Sequence, residues 1–201
     1  MKLEDYMRVL VFSDLHGDES LIKKVKELSN SADISICCGD ITPIRGNTRE
    51  IAKKIGRLGI ELFIVPGNFE LPKELDSICE EYEWHNIHGK SVKIDRLTIG
   101  GCGGAIKGPY NTPYEINEQE MNSILEHLTK LDILVTHSPP KGATDNVSNL
   151  NIGSDSIRRF IQEMNPTINL CGHVHENGGN ETLIYNTRVI NIARQVKIID
   201  L

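Results

Sequence analysis

The sequence predicts an α/β fold whose parallel first part gives way to a more antiparallel second part. Three observations carry this. Short apolar runs alternate with longer amphipathic stretches from Met7 to about Glu83, the pattern of repeated β-α-β units. From about Trp84 the texture changes to shorter strand candidates. No internal repeat, low-complexity tract or linker divides the chain, so residues 1–201 read as one domain.

The elements follow in order. Met7 to Phe12 is a short, mostly apolar run that reads as a strand, and Leu21 to Leu28 carries apolar residues at helical spacing. Ile34 to Cys38 is the next strand, residues 48–58 read as a helix, and Leu62 to Val65 is a third strand stopped by Pro66-Gly67. Pro72 to Glu83 fits a short helix with proline near its first turn. Val92 to Ile94 and Leu97 to Ile99 are strand candidates, and the Gly-rich run Gly100 to Gly104 reads as a bend or a close backbone approach. A helix over 117–129 and a strand over Ile133 to Thr136 precede a loop from Ser138 to Gly153. A helix from about Ser154 to Met164 and a strand from about Ile168 to Cys171 come next. The tail from Thr182 reads as short strands around a turn at Asn186-Thr187, ending in the alternating stretch Val196 to Ile199, whose free edge is a possible site of homo-oligomer pairing.

Composition excludes several classes. With 22 basic and 28 acidic side chains the net charge is −6, so no basic field holds nucleic acid or an anionic membrane, and a nucleic-acid partner is disfavoured. No apolar run approaches a membrane span, and Met1 to Asp5 lack the apolar core of a signal peptide. Five cysteines, two of them adjacent at Cys37 and Cys38, suit reduced thiols in a strand better than a disulfide framework, and the expected location is cytoplasmic.

Polar residues of metal-ligand type fall just after nearly every strand, the edge at which open α/β sheets bind ligands. These are Asp14 and His16, Asp40 after Gly39, Asn68 after Gly67, His137, and His173 with His175. Each alone has an ordinary reading: Asp or Asn after a strand is usually a turn former or a helix cap, and a single loop histidine is more often solvated or hydrogen-bonded than a ligand. His85, His88 and His127 keep that reading, Ser13, Ser138 and Cys37 lack a triad context, and Cys171 sits in a strand and reads as core. The ordered set of five motifs does not, because carboxylate oxygens, imidazole nitrogens and an amide oxygen on neighbouring loops can surround a pair of divalent first-row metals.

Asp14-x-His16, Gly39-Asp40, Gly67-Asn68, His137 and Gly172-His173-x-His175, in this order, resemble the calcineurin-like metallophosphoesterase superfamily over residues 8–176. The stretches at Ile99 to Gly101, Asn111 to Glu115, Thr136 to Pro140 and Cys171 to Glu176 are similar to its small prokaryotic branch of predicted phosphoesterases related to cyclic-nucleotide phosphodiesterases. The resemblance implies a four-layer αββα sandwich, two mixed β-sheets flanked by helices; periodicity alone does not give the two-sheet detail. It also implies two divalent metal ions, with Mn the expected pair and Fe, Zn, Ni or Co as alternatives. Asp14, His16, Asp40 and His175 would hold one ion, and Asp40, Asn68, His137 and His173 the other. Asp40, Asn68 and His137 would carry catalysis, with a metal-bridging hydroxide attacking the phosphorus of a small phosphate ester.

One position departs from the pattern. Where the superfamily commonly writes Gly-Asn-His, this chain has Gly67-Asn68-Phe69-Glu70, so the side chain that would assist the leaving group is a phenyl ring. General-acid help contributes typically ~10²–10⁴-fold, so diesters or activated esters are expected over alkyl monoesters. Asn68, Lys107, Tyr110, Asn111 and Tyr114 are the substrate-contact candidates, and Glu70 reads as a helix cap. Two other readings stay open: an interaction scaffold that keeps the fold without useful catalysis, and a metal nuclease, ranked last because neither a basic stripe nor interleaved aromatics is present.

Overall fold

A computed structural model describes residues 6–201; the expectation placed on Met1 to Asp5 lies outside them. The first half contains β1 (Arg8–Phe12), α1 (Glu19–Ser29), β2 (Ile34–Cys37), α2 (Thr48–Ile55), β3 (Glu61–Ile64), α3 (Pro72–Tyr82) and β4 (His85–Asn86). Then come β5 (Ser91–Ile94), β6 (Leu97–Cys102), β7 (Ala105–Ile106), β8 (Glu115–Ile116), α4 (Glu118–Leu125) and β9 (Ile133–Thr136). The remainder is β10 (Asn146–Val147), β11 (Leu150–Asn151), α5 (Asp155–Met164), β12 (Ile168–Cys171), β13 (Glu181–Ile184), β14 (Thr187–Asn191) and β15 (Val196–Asp200).

Two mixed sheets organise these elements. The first has the order β15-β1-β2-β3-β4, parallel from β1 to β4 with β15 antiparallel at its edge. The second has the order β13-β14-β12-β9-β6-β5. Its four central strands are parallel and only its two edge strands, β13 and β5, run antiparallel. The antiparallel character expected of the second half is thus confined to the sheet's rims.

Period-2 alternation sorts the strand residues into separate cores. Val9 and Val11 of β1 pack with Ile36, Phe63, Ile133, Val135, Leu170 and Ile190 between the two sheets. Leu10 and Phe12, pointing the other way, pack with Ile22, Val25, Ile51, Ile55, Leu75 and Ile78 under α1 to α3. A third cluster joins Leu134, Cys171 and Val189 of the second sheet to Met121, Leu125, Ile157 and Ile161 of α4 and α5. Three apolar interfaces make four layers, the αββα sandwich implied by the resemblance, and explain why the strands read as unbroken apolar runs.

Local chemistry sets the helix ends. Asp18, Asn47, Asn117 and Ser154 accept hydrogen bonds from first-turn N–H groups of α1, α2, α4 and α5. α2 ends at Ile55, earlier than the expected 58, because Gly56 turns left-handed at φ 66°. α4 ends at Leu125 instead of 129, since the N–H groups of His127 and Leu128 bond three residues back, to Ile124 and Leu125. Gly100 and Gly101 are not a bend; they lie within β6, where a side chain on Gly101 would run into Val65 and the Val135 carbonyl. The tail turn falls at Tyr185-Asn186, between β13 and β14.

Candidate metal centre

Five loops leave the carboxyl ends of five parallel strands at one place. β1, β2 and β3 of the first sheet deliver Asp14 with His16, Asp40 and Asn68, and β9 and β12 of the second deliver His137 and His173 with His175. Short backbone links weld the ends together: Asp14 N–H donates to Gly39 O at 2.9 Å, His16 N–H to Asp40 O at 3.1 Å, and Gly172 N–H to His137 O at 2.9 Å. Asp14, Asp40, Asn68 and His137 are buried, whereas His16 and His173 are partly exposed and His175 is exposed at the rim.

The backbone is left-handed at four of these seven residues, Asp14, His16, Asp40 and His173, with φ between 44° and 68°. L residues rarely sit there, and such strain persists only where surrounding bonds fix it. The neighbouring glycines are part of that fixing. A side chain on Gly67 would strike the Asp40 carboxylate and one on Gly39 the Gly67 backbone, so the two loops meet closely only because both carry glycine.

The polar atoms face one another. Asp14 Oδ1 lies 3.1 Å from His175 Nε2 and 3.8 Å from His16 Nε2, and the two imidazole nitrogens are 3.3 Å apart. Asp40 Oδ2 stands between the two groups, 3.7 Å from His16 Nε2 and 3.4 Å from His137 Nε2. Asn68 Oδ1 lies 2.9 Å from both His137 Nε2 and His173 Nδ1. The trios Asp14, His16, His175 and Asp14, Asp40, His137 each place one ligand-type atom per residue within 4.8 Å of the others, the spacing to hold a metal ion.

Tautomers are fixed from outside. His16 Nδ1 faces the Thr42 carbonyl at 2.9 Å and His137 Nδ1 the Cys38 carbonyl at 2.8 Å. A carbonyl only accepts, so each Nδ1 carries a proton and each ring turns its Nε2 toward the cluster. The Asn68 amide oxygen faces Nε2 of His137, the atom from which the ring would hold a cation once it gives up its Nε2 proton.

The electrostatics of the cluster favour positive charge. Burial lowers the His137 pKa, but the Asp40 and Asp14 carboxylates outweigh it and hold it up at about 9. His173 is pushed down to about 4 by burial and by the charge of His137. For Asp14, burial works upward, yet bonds from His175 and Ser13 and the nearby imidazoles bring it to about 2. The pocket stabilises positive charge at its centre.

A surrounding layer of side chains was not legible as such in the sequence. Glu70 is not a helix cap: the N-cap of α3 is Leu71, which makes no side-chain cap bond. The buried Glu70 carboxylate instead accepts from the backbone N–H groups of Asp40 at 2.9 Å, Thr42 at 2.9 Å and Gly67 at 2.7 Å. Burial, then the charge of Asp40, pushes its pKa up to about 7. Asn191 does a similar task on the second sheet, its Nδ2 donating to the Gly172 and Val174 carbonyls at 3.3 and 3.1 Å while its Oδ1 accepts from Ala193 N–H. Arg194 donates to the carbonyls of Asp14 and Leu15 at 3.2 and 3.0 Å and to Asp18. Asx residues at strand ends are commonplace, so nothing local distinguishes Asn191.

A cleft of about 1030 Å³ opens over the cluster, lined by His16, Asp40, Asn68, His173 and His175 and by two rim segments, Pro43-Ile44-Arg45 and Tyr110 to Pro113, with Phe69 between. Of the substrate candidates, Asn68, Tyr110 and Asn111 line it. Lys107 and Tyr114 do not; the Tyr114 hydroxyl is 3.0 Å from Nε2 of His88, whose Nδ1 accepts from Gly103 N–H at 2.9 Å. Tyr114 contributes through its backbone, its N–H donating to the Asn68 carbonyl at 2.9 Å. Phe69 sets its ring edge-on to His16, centroids 5.6 Å apart.

An αββα sandwich with a histidine–carboxylate cluster where the two sheets' strand ends meet defines a class of metal-dependent hydrolases. The chain belongs to the calcineurin-like phosphoesterase family, whose pattern matches residues 7–177. It is 34% identical over 197 residues to uncharacterized protein MJ1162 of Methanocaldococcus jannaschii, covering 92% of this chain and 88% of that protein. It is 27% identical over 168 residues to "Probable glycerophosphodiester phosphodiesterase GpdQ" of Arcobacter nitrofigilis, covering 77% of this chain and 60% of that one. Among solved structures, TT1561 of Thermus thermophilus shares the fold with a TM-score of 0.73 at 18% identity, over 97% of this chain and 99% of that chain. No helix among the described residues is long and apolar enough to cross a membrane.

Proposed function

We propose that this protein is a dinuclear phosphoesterase that hydrolyses a small phosphodiester or activated ester in preference to an alkyl monoester. The carrying observation is the convergence of His137 Nε2 and His173 Nδ1 on Asn68 Oδ1, each at 2.9 Å, with the His137 Nδ1 proton committed to Cys38. Imidazole nitrogens and an amide oxygen brought this close from separate loops, with the other ring nitrogen of His137 held by a backbone carbonyl, make the donor set and the outer hydrogen bond of a metal site.

Asp14, His16, Asp40 and His175 are the ligands assigned to one ion and Asp40, Asn68, His137 and His173 those assigned to the other, with Asp40 shared. Two carboxylates, an amide and four imidazoles suit borderline divalent metals, with Mn the first choice. When bound, the ions supply Lewis acidity and an acidified water as nucleophile. The chain's own residues do the rest. Thr42 and Cys38 carbonyls hold the two imidazole tautomers, Glu70 and Asn191 fix the loops, and the partly exposed His16 and His173 with the exposed His175 present one open side of the cluster to the ester. Phe69 occupies the rim beside His16 and offers no proton to a departing alkoxide. The free, buried cysteines Cys37, Cys38, Cys79, Cys102 and Cys171 suit a reducing compartment, which supports a cytoplasmic location.

The test is hydrolysis of a nitrophenyl phosphodiester and the matching monoester by purified protein, stripped of metal and reloaded with Mn, beside His137→Ala. Metal-dependent turnover lost in the variant is expected. No turnover of either ester under several metals, although metal binds, overturns the reading in favour of a non-catalytic scaffold.

A further inference from the structure

We propose that the cleft selects an ester bearing a planar, apolar arm of the aryl class over one bearing a small polar arm such as glycerol; the inference rests on the phosphoesterase reading and names its substrate class. Two large hydrophobic side chains that would ordinarily be buried stand exposed on the two rim segments: Ile44, 75% exposed, and Tyr110, 86% exposed. Pro43 and Pro113 lie on the same two segments, and Phe69 lines the cleft from the metal-ligand loop. The lining away from the cluster is therefore largely apolar, and among the described residues its polar side chains are Arg45, Tyr110, Asn111 and Thr112.

Both rims are built, not loose. Pro43 and Gly46 close a turn through the Gly46 N–H to Pro43 carbonyl bond at 2.9 Å, and Asn47 caps α2 immediately behind it. On the other segment, the Glu115 carboxylate accepts from Thr112 N–H at 2.8 Å, Thr112 hydroxyl at 2.7 Å and Gly108 N–H at 3.1 Å, folding the stretch that carries Tyr110. Arg45 is the one Lys or Arg among the described residues lining the cleft. A guanidinium beside an apolar wall pairs with the face of an aromatic ring. Isolated exposed hydrophobics need no explanation, but two on pre-organised segments lining one cleft over a polar cluster make a binding wall.

The test is calorimetric titration of the Mn-loaded protein with phenylphosphonate, methylphosphonate and glycerol 3-phosphate, repeated on Ile44→Ser and Tyr110→Ala. Both substitutions fall on exposed side chains and leave the cores untouched. Phenylphosphonate is expected to bind about tenfold more tightly than the other two, ~1.4 kcal/mol, and the preference is expected to shrink to within about threefold in each variant. Equal affinities in the parent protein, or a preference that survives both substitutions, overturn the wall. Aryl-selective binding without hydrolysis of any ester would sink the phosphoesterase reading and leave this one standing. Hydrolysis without aryl selectivity would do the reverse, and no binding of any phosphonate overturns both.

Discussion

The Glu70 carboxylate accepts a hydrogen bond from the Asp40 backbone N–H at 2.9 Å, across thirty residues of sequence, and with the same oxygen takes the Gly67 N–H at 2.7 Å. One buried side chain thereby ties together the loops that carry Asp40 and Asn68, from β2 and β3. Replacing Glu70 with Gln keeps the shape but turns an NH₂ group toward backbone donors. The expected outcome is a loss of about 2–3 kcal/mol in stability by denaturant unfolding and a weakening of Mn affinity of at least about tenfold. Unaltered metal affinity in Glu70→Gln would mean the clamp does not position the ligands.

Asp40 stands between the two halves of the cluster, and Asp40→Asn removes its charge while retaining an oxygen to accept the Phe69 N–H, bonded at 3.0 Å in the parent. The metal-free fold is expected to survive, with an unchanged circular dichroism spectrum. Metal stoichiometry should fall, and turnover should drop by at least about 10³-fold, the scale of the Lewis-acid contribution. Full activity in this variant would refute the shared-ligand assignment.

Phe69→His places a proton donor beside His16 at the rim. Hydrolysis of an alkyl monoester should rise relative to a nitrophenyl diester by roughly ten-fold or more. A ratio that does not move would show that the phenyl ring is not what limits monoester turnover.

His88 provides a pH signature independent of the metal centre. Burial holds its pKa down at about 4 against an ordinary 6.5. Above pH 6.5 it is neutral folded and unfolded and contributes nothing to the pH dependence. As pH falls from 6.5 toward 4 the unfolded chain takes up a proton that the folded one refuses, so stability declines across that window and levels off below it. His88→Gln should abolish ~2 kcal/mol of the decline between pH 7 and pH 4.5. Parallel stability–pH curves for the two proteins would rule this out.

Much of the fold is written in local pattern. The runs at Met7 to Phe12, Ile34 to Cys38 and Ile133 to Thr136 announce strands, and the structure places strands there within a residue. Where the pattern fails, a local bond decides: the left-handed Gly56 shortens α2, and three-residue bonds finish α4 before its apolar stripe ends. Glu70 misleads for a different reason. A lone acid before a helix resembles a cap, and its three true partners lie up to thirty residues away.

By itself the sequence determined the elements, their alternation and the order in which Asp14, His16, Asp40, Asn68, His137, His173 and His175 follow strand ends, because residue type and period are local properties. It did not determine that these ends meet. Which face of each strand turns to the other sheet, which carbonyl fixes each imidazole, which loops Glu70 and Asn191 tie, and that Ile44 and Tyr110 line one cleft while Tyr114 turns to His88 were decided only in the tertiary structure. Those relations join residues far apart in the chain, where no periodicity operates and packing and hydrogen-bond satisfaction select the arrangement.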